Sequence, residues 1–333
     1  MTRTRRYFFV SLAGGCARPR RERLNVYNWS NYVAPDTIAD FERESSVSVR
    51  YGTYESNEEM LAKAMTGNSG WDVVFPSNYL IRPMVENGLL ANIDHARLPN
   101  LDKLERRFQS PSWDPELRWC VPYMWGGSGI AYRRSVRPVP GGWPDLWRTD
   151  LAGRITMLDD PAEVIGACLK KLGYSLNSTD SPRLEQAKAE AIAQKRVLRA
   201  YLNAEVRDQL VAGDVLAAQL WATTSQQASE VSAAVEFVYP QEGFALYADN
   251  AAILRESSRV QLAHQFIDFL LRPAVARSIV RSTRTAAANA EAREDNAVLY
   301  PPAGVLARGE WFEPLPAAAQ RLRDRVWTEI KSA

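Results

Sequence analysis

Short β-like runs alternate with amphipathic helical stretches along this chain, and that order leaves few architectures open. Asn25 to Tyr27 reads as a strand, and Asp36 can cap a helix whose apolar Ile38, Ala39 and Phe41 share a face. Val47 to Tyr51 alternates at period two, as a half-buried strand does. A helix through Met60, Leu61, Ala64 and Met65 stops at Gly67. A strand from Trp71 to Phe75 follows, then a helical stretch from Leu80 to Glu86 that ends at Gly88. Repeated β-α-β order argues for an α/β class with a mainly parallel sheet covered by helices.

The second half repeats this grammar. Arg154 to Leu158 is a strand, and Pro161 begins a helix that runs to Leu172. A polar helix spans Arg183 to Lys195, with strands at Val215 to Trp221 and Val235 to Tyr239. Helices at Val260 to Leu271, Ala274 to Arg281 and Ala317 to Ile330 close the chain. Strand-like segments around Tyr123 to Tyr132 and Ala245 to Ile253 are candidates for crossings between two lobes, and 333 residues are enough for two domains. No run of eighteen apolar residues is present.

Charge is unevenly placed. The formal charge is +2, yet residues 1–23 hold seven arginines against the single acid Glu22. The remainder carries 34 bases against 38 acids, so a net acidic body lies behind a basic leader. Three arginines within Met1 to Arg6 precede a short apolar run from Tyr7 to Gly15, the pattern of an export signal. Thr4-Arg5-Arg6-Tyr7-Phe8-Phe9 resembles a twin-arginine motif, and Leu12-Ala13-Gly14-Gly15-Cys16 is close to a lipoprotein cleavage box. Export to the periplasm is expected, with Cys16 a candidate anchor; a plain basic tail is the alternative. The acidic body, with no basic stripe, disfavours nucleic acid as a partner.

Metal and histidine chemistry find little support. Cys120 and Cys168 lack partners at metal-ligand spacing, and Cys168 sits in the apolar run Val164 to Leu169 as a small hydrophobe. A Cys120–Cys168 disulfide is open in an oxidising compartment. His95 and His264 are the only histidines and are expected to be structural. No cofactor or metal is expected.

In open α/β sheets, ligands bind beyond the carboxyl ends of strands. Those ends here supply Trp29, Ser30, Asn31 and Tyr32, then Ser77 and Tyr79, then Asp160 and Glu163, then Trp221, then Tyr247 and Asp249. Aromatic faces attract ammonium groups and hold aliphatic chains, while carboxylates fix the charged ends. An elongated organic cation needs that mixture. Each element also has a plainer explanation: a strand-end Trp is often core, and Asp160 with Glu163 could simply cap the Pro161 helix.

Tyr27-Asn28-Trp29-Ser30-Asn31-Tyr32-Val33 resembles the opening strand of bacterial spermidine- and putrescine-binding proteins of ABC transporters. The likeness continues through Thr53 to Glu58, Phe75-Pro76-Ser77, Pro122 to Gly126, Leu158-Asp159-Asp160 and Lys171 to Ser175. Phe269 to Pro273, Tyr300-Pro301-Pro302 and Gly309-Glu310-Trp311 carry it almost to the end. The resemblance implies a two-lobed type II periplasmic-binding-protein fold, with a sheet in each lobe, hinge crossovers and a ligand cleft between. By that likeness, residues 24–126 with 250–289 form one lobe, and 127–249 with 290–333 the other. It marks Trp29, Ser30, Tyr32, Ser77 and Tyr79 on the first lobe's side, and Asp160, Glu163, Trp221, Tyr247 and Asp249 across from them.

Departures from the family pattern fall at Asn31 and Thr224, usually acidic in polyamine or putrescine binders, and at Thr285 and Phe312, where relatives have Tyr and Gln. The implied function is capture of a putrescine- or spermidine-type polyamine for an inner-membrane ABC permease, by a monomer that is not an enzyme. A polyamine sensor or surface lipoprotein is the alternative. A hydrolase built on Asp160 and Glu163 is weaker, because no nucleophile is identifiable. Gly126-Gly127-Ser128-Gly129 is not a phosphate loop, since no Gly-Lys-Ser/Thr follows.

Overall fold

A computed structural model describes residues 21–333. Cys16 and the leader to residue 20 lie outside the described residues. Six elements build the first series: β1 (Arg23–Trp29), α1 (Thr37–Ser45), β2 (Ser48–Tyr54), α2 (Asn57–Ala64), β3 (Val73–Val74) and α3 (Asn78–Glu86). The long strand β4 (Cys120–Arg133) leads to β5 (Ile155–Met157), α4 (Pro161–Lys171), α5 (Ser181–Gln194) and β6 (Leu198–Tyr201). Next come α6 (Val206–Ala212), β7 (Ala217–Trp221), α7 (Ala222–Val231) and β8 (Val235–Val238). A second long strand, β9 (Phe244–Ile253), precedes α8 (Val260–Leu271), α9 (Pro273–Thr283) and β10 (Ala286–Ala287). The chain ends with α10 (Ala303–Leu306), β11 (Gly309–Trp311) and α11 (Ala317–Ser332).

The strands follow the order β2-β1-β3-β9-β4-β7-β5-β6, with β8 and β10 also on β4 and β11 on β9. Pairing is parallel within the outer groups, β2-β1-β3 and β7-β5-β6. Among the described residues, each antiparallel joint between these strands involves β4 or β9, the two segments expected as crossings. β4 passes from β9 to β7 along its length: Cys120 to Gly127 pairs with β9, and Ser128 to Tyr132 pairs with β7. Pro122, which has no N–H to give a ladder, sits at a register shift before Met124.

The glycines of β4 have a steric purpose. A Cβ on Gly126 would stand 2.5 Å from the Tyr247 hydroxyl, and one on Gly129 would stand 2.6 Å from Phe237. These glycines let aromatic rings from neighbouring strands lie across the β4 backbone. Gly126→Ala should therefore push the Tyr247 ring aside and weaken ligand binding about tenfold or more, with a modest drop in Tm; calorimetry and thermal melting would check both.

Several local expectations shift. Asp36 makes no side-chain cap, and α1 buries Thr37 and Phe41, four residues apart, while Ala39 is exposed. α2 ends at Ala64, leaving Met65 59% exposed. The Trp71–Phe75 strand contracts to Val73–Val74, although all five residues are buried. β6, α6 and α7 were not expected. The sequence of α7, ATTSQQASEV, has no apolar stripe, because it buries Ala222, Thr223, Thr224, Ser225 and Ala228 instead.

Cys120 on β4 and Cys168 on α4 are separate buried thiols, so the disulfide left open does not form. His264 accepts from the Asp94 backbone N–H at 2.8 Å, and His95 Nε2 lies 2.9 Å from the Leu117 carbonyl, both structural roles. Among the described residues, no helix is long and apolar enough to cross a membrane.

Candidate functional site

A cavity of about 560 Å³ opens where the ends of β1, β7, α3 and α4 meet the middle of β9. It is lined by all of Trp29, Ser30, Asn31, Tyr32, Ser77, Tyr79, Asp160, Glu163, Trp221, Tyr247 and Asp249. Thr224 and Phe312 line it as well, whereas Thr285 is fully buried and is not part of the wall. Glu55, Asn57, Asn203, Ala204, Glu205, Thr223 and Gln227 complete it. Glu55 and Asn57 belong to the Thr53–Glu58 segment quoted for the family likeness, the one signal that could have marked them.

Asp249 anchors one pole. It is 2% exposed, and its two oxygens each accept a hydroxyl, from Ser77 at 2.6 Å and from Tyr32 at 2.7 Å. Expected across the cleft from those residues, Asp249 instead sits beside them. The reason is topological: the carboxyl half of β9 runs antiparallel to β3, and a bridge joins Asp249 to Ser77 directly. Burial pushes the Asp249 carboxyl up to about 6, against the pull of the Ser77 and Tyr32 hydroxyls.

Asp160 and Glu163 form the other pole. Asp160 Oδ1 accepts the Glu163 backbone N–H at 3.0 Å and caps α4, so the plain capping role and a place on the cavity wall coexist. Glu163 does not return a capping bond; its Oε1 accepts the Trp221 indole N–H at 3.2 Å. Glu163 Oε2 and Thr223 Oγ1 are buried without a partner among the described residues. Orphaned oxygens of this kind are uncommon in native interiors and invite a donor. Burial, and secondarily the Asp160 charge, raises the Glu163 carboxyl above its ordinary range; burial also raises Asp160.

Aromatic rings stand between the poles. Trp29 is held by its indole N–H to the Phe75 carbonyl at 2.9 Å, and Tyr79 meets Phe312 edge-on at 5.9 Å and 71°. Asn31, exposed at the rim, has φ 55°, a left-handed conformation in which Asn and Asp are enriched. Its identity thus has a backbone reason beside any role toward a ligand. Among the described lining residues none is basic, while five are acidic: Glu55, Asp160, Glu163, Glu205 and Asp249. Buried carboxylates without internal counter-ions suit a cation bearing several N–H donors.

A family model described as bacterial extracellular solute-binding protein matches residues 36–303. The spermidine/putrescine-binding periplasmic protein of Escherichia coli is 32% identical over 319 residues, covering 93% of this chain and 91% of that protein. The putrescine/cadaverine-binding protein of Pseudomonas aeruginosa is 30% identical over 341 residues, covering 96% of each. Among solved structures, a Treponema pallidum lipoprotein matches with a TM-score of 0.85 at 29% identity, over 93% of this chain and 99% of that one. The spermidine/putrescine ABC transporter substrate-binding protein of Streptococcus pneumoniae matches with a TM-score of 0.83 at 27% identity, with the same coverage. These likenesses establish the two-lobed type II fold.

Proposed function

Because this chain belongs to the bacterial extracellular solute-binding proteins, we propose that it is the substrate-binding component of an importer for polyamines of the putrescine–spermidine type. One observation carries the reading: three carboxylates from two elements distant in sequence, Asp160 and Glu163 at the start of α4 and Asp249 on β9, converge on one aromatic-walled cavity with no basic lining residue among those described. The relatives named above are binding proteins rather than enzymes, and a periplasmic location follows that of the Escherichia coli relative.

The proposed mechanism uses this chain's own groups. One ammonium group docks at Asp249, which Ser77 and Tyr32 hold in place. A second amine meets Glu163 and Asp160, satisfying the orphaned Glu163 Oε2. The methylene chain between them lies against Trp221 and Tyr247, with Trp29 and Tyr79 completing the walls. Each ring–cation contact contributes about 0.5–2 kcal/mol, more as water leaves. The proposed lobes are residues 24–126 with 250–289, and 127–249 with 290–333, with Asp249 at the boundary and bonded to the first lobe's Ser77 and Tyr32. In support, β10 pairs with the first half of β4, while Glu310 of the carboxyl segment forms an ion pair with Lys170 of α4. Closure about β4 and β9 would exclude water, strengthen the charge contacts and present a closed shape to an ABC permease.

Calorimetry on residues 24–333 with putrescine, cadaverine, spermidine, spermine and agmatine tests the reading. Heat of binding from at least one diamine or triamine is expected. Silence from all five would overturn the polyamine assignment.

A further inference from the structure

Asn57, the first residue of α2, is buried beneath the Asp249 pole. Its side-chain orientation follows from a single bond. The Ser77 backbone N–H, which can only donate, reaches Asn57 Oδ1 at 3.2 Å, so the amide nitrogen must face the other way. That nitrogen donates to Ser77 Oγ at 3.0 Å and to the Tyr79 hydroxyl at 2.8 Å. Both hydroxyls accept from Asn57, so both must send their own protons elsewhere. The Ser77 proton goes to Asp249 Oδ1 at 2.6 Å, and the Tyr79 proton is left for the cavity.

We propose that Asn57 is a positioning residue for ligand binding, setting the hydrogen-bond polarity of Ser77 and Tyr79 so that Asp249 stays an oriented, ionised acceptor for an ammonium group. This rests on the polyamine reading for its ligand, but the polarity relay exists without one. Asn57 need not touch the ligand's charge. It acts through Ser77, whose hydroxyl becomes a stronger donor when it also accepts a hydrogen bond. With one hydroxyl on each oxygen, Ser77 on Oδ1 and Tyr32 on Oδ2, the remaining lone pairs are free for the ligand. The titratable groups that feel the Asp249 charge are the phenols Tyr32, Tyr54, Tyr79 and Tyr247, all raised by burial and so neutral across the physiological range.

The test is a double-mutant cycle read at Asp249. The carboxyl of ligand-free protein is titrated by carbon-detected NMR in wild type, Asn57→Leu, Ser77→Ala and the double variant. Putrescine and spermidine affinities are measured alongside by calorimetry. Asn57→Leu should raise the Asp249 titration point by about half a unit or more and weaken binding about tenfold. In the Ser77→Ala background, the same replacement should add little to the titration point, because Asn57 reaches Asp249 through Ser77, and any further loss of affinity should be small and due to Tyr79. A purely structural Asn57 would lower Tm yet leave the titration point unmoved, or add its effect in full to that of Ser77→Ala; either result overturns the proposal. If Asn57→Leu does not fold, Asn57→Ala is read by the same criteria. Failure of the wild type to bind any amine would sink the polyamine reading, while the ligand-free titration would still decide the role of Asn57.

Discussion

Asp249→Ala should abolish measurable binding of putrescine and spermidine while the protein keeps its fold. Truncating one partner of a buried, hydrogen-bonded charge pair costs about 2–5 kcal/mol. At about 1.4 kcal/mol per decade, that is a loss of roughly thirtyfold to several thousandfold. The fold should survive because this carboxylate works against stability when empty. Its displacement from an ordinary 3.8 to about 6 is worth about 3 kcal/mol of preference for the neutral form. Alanine removes that burden, against the cost of two hydroxyls, Ser77 and Tyr32, that lose their acceptor at about 1–3 kcal/mol each, so the two effects largely offset. Calorimetry paired with thermal melting would check both halves; near-wild-type affinity would remove Asp249 from the binding machinery.

Acidification should separate binding from stability, moving them in opposite directions. Asp249 titrates near 6 in the empty protein, and Asp160 and Glu163 are raised with it. An ammonium ligand needs the ionised form, so affinity should fall on acidification, Asp249 contributing below about 6 and the more strongly raised Glu163 from a higher pH, by up to tenfold per pH unit for each carboxylate that must be deprotonated. For stability the sign is reversed. Between 3.8 and about 6 the folded state binds the Asp249 proton more tightly than the unfolded chain does. This contribution is therefore present in full at low pH and is lost as pH rises through about 6. Ligand-free Tm should rise from pH 7 to 5.5, while the Tm increase caused by saturating putrescine shrinks over the same interval. Melts across that range with and without ligand would show it; a ligand-induced increase that grows on acidification would contradict the assignment.

The sequence disclosed the site's chemistry better than its arrangement. Trp29, Asp160 and Trp221 could be picked out because a polar or aromatic residue at a strand's carboxyl end is not what a core predicts. Asn57 could not, since a polar residue at a helix start reads as solvent-facing. Thr223 was hidden for a related reason: α7 is buried through small polar residues, and a search for apolar stripes passes over it. The alternation of elements located nearly every long helix and strand. It could not reveal that β9 carries Asp249 back beside Ser77, because pairing across 172 positions leaves no local mark. Asn31 shows the converse, a residue whose departure from its relatives suggested ligand specificity but whose φ of 55° offers a backbone reason.

The late position of β9 has a consequence during synthesis. β3 finds its antiparallel neighbour only at Ala252 and Ile253, and Tyr32 waits 217 positions for the carboxylate it bonds. A ribosome that has released the first 240 residues has produced β1 to β8 and both acids of the second pole, yet no Asp249 and no second crossing. Such a nascent chain has an unfilled slot between β3 and β4, the kind of exposed strand edge on which chaperones and aggregation act. Contacts so distant in sequence also predict slow closure of the final sheet. Until β9 arrives, the two parallel strand groups are therefore halves of a sheet that lacks the strand joining them.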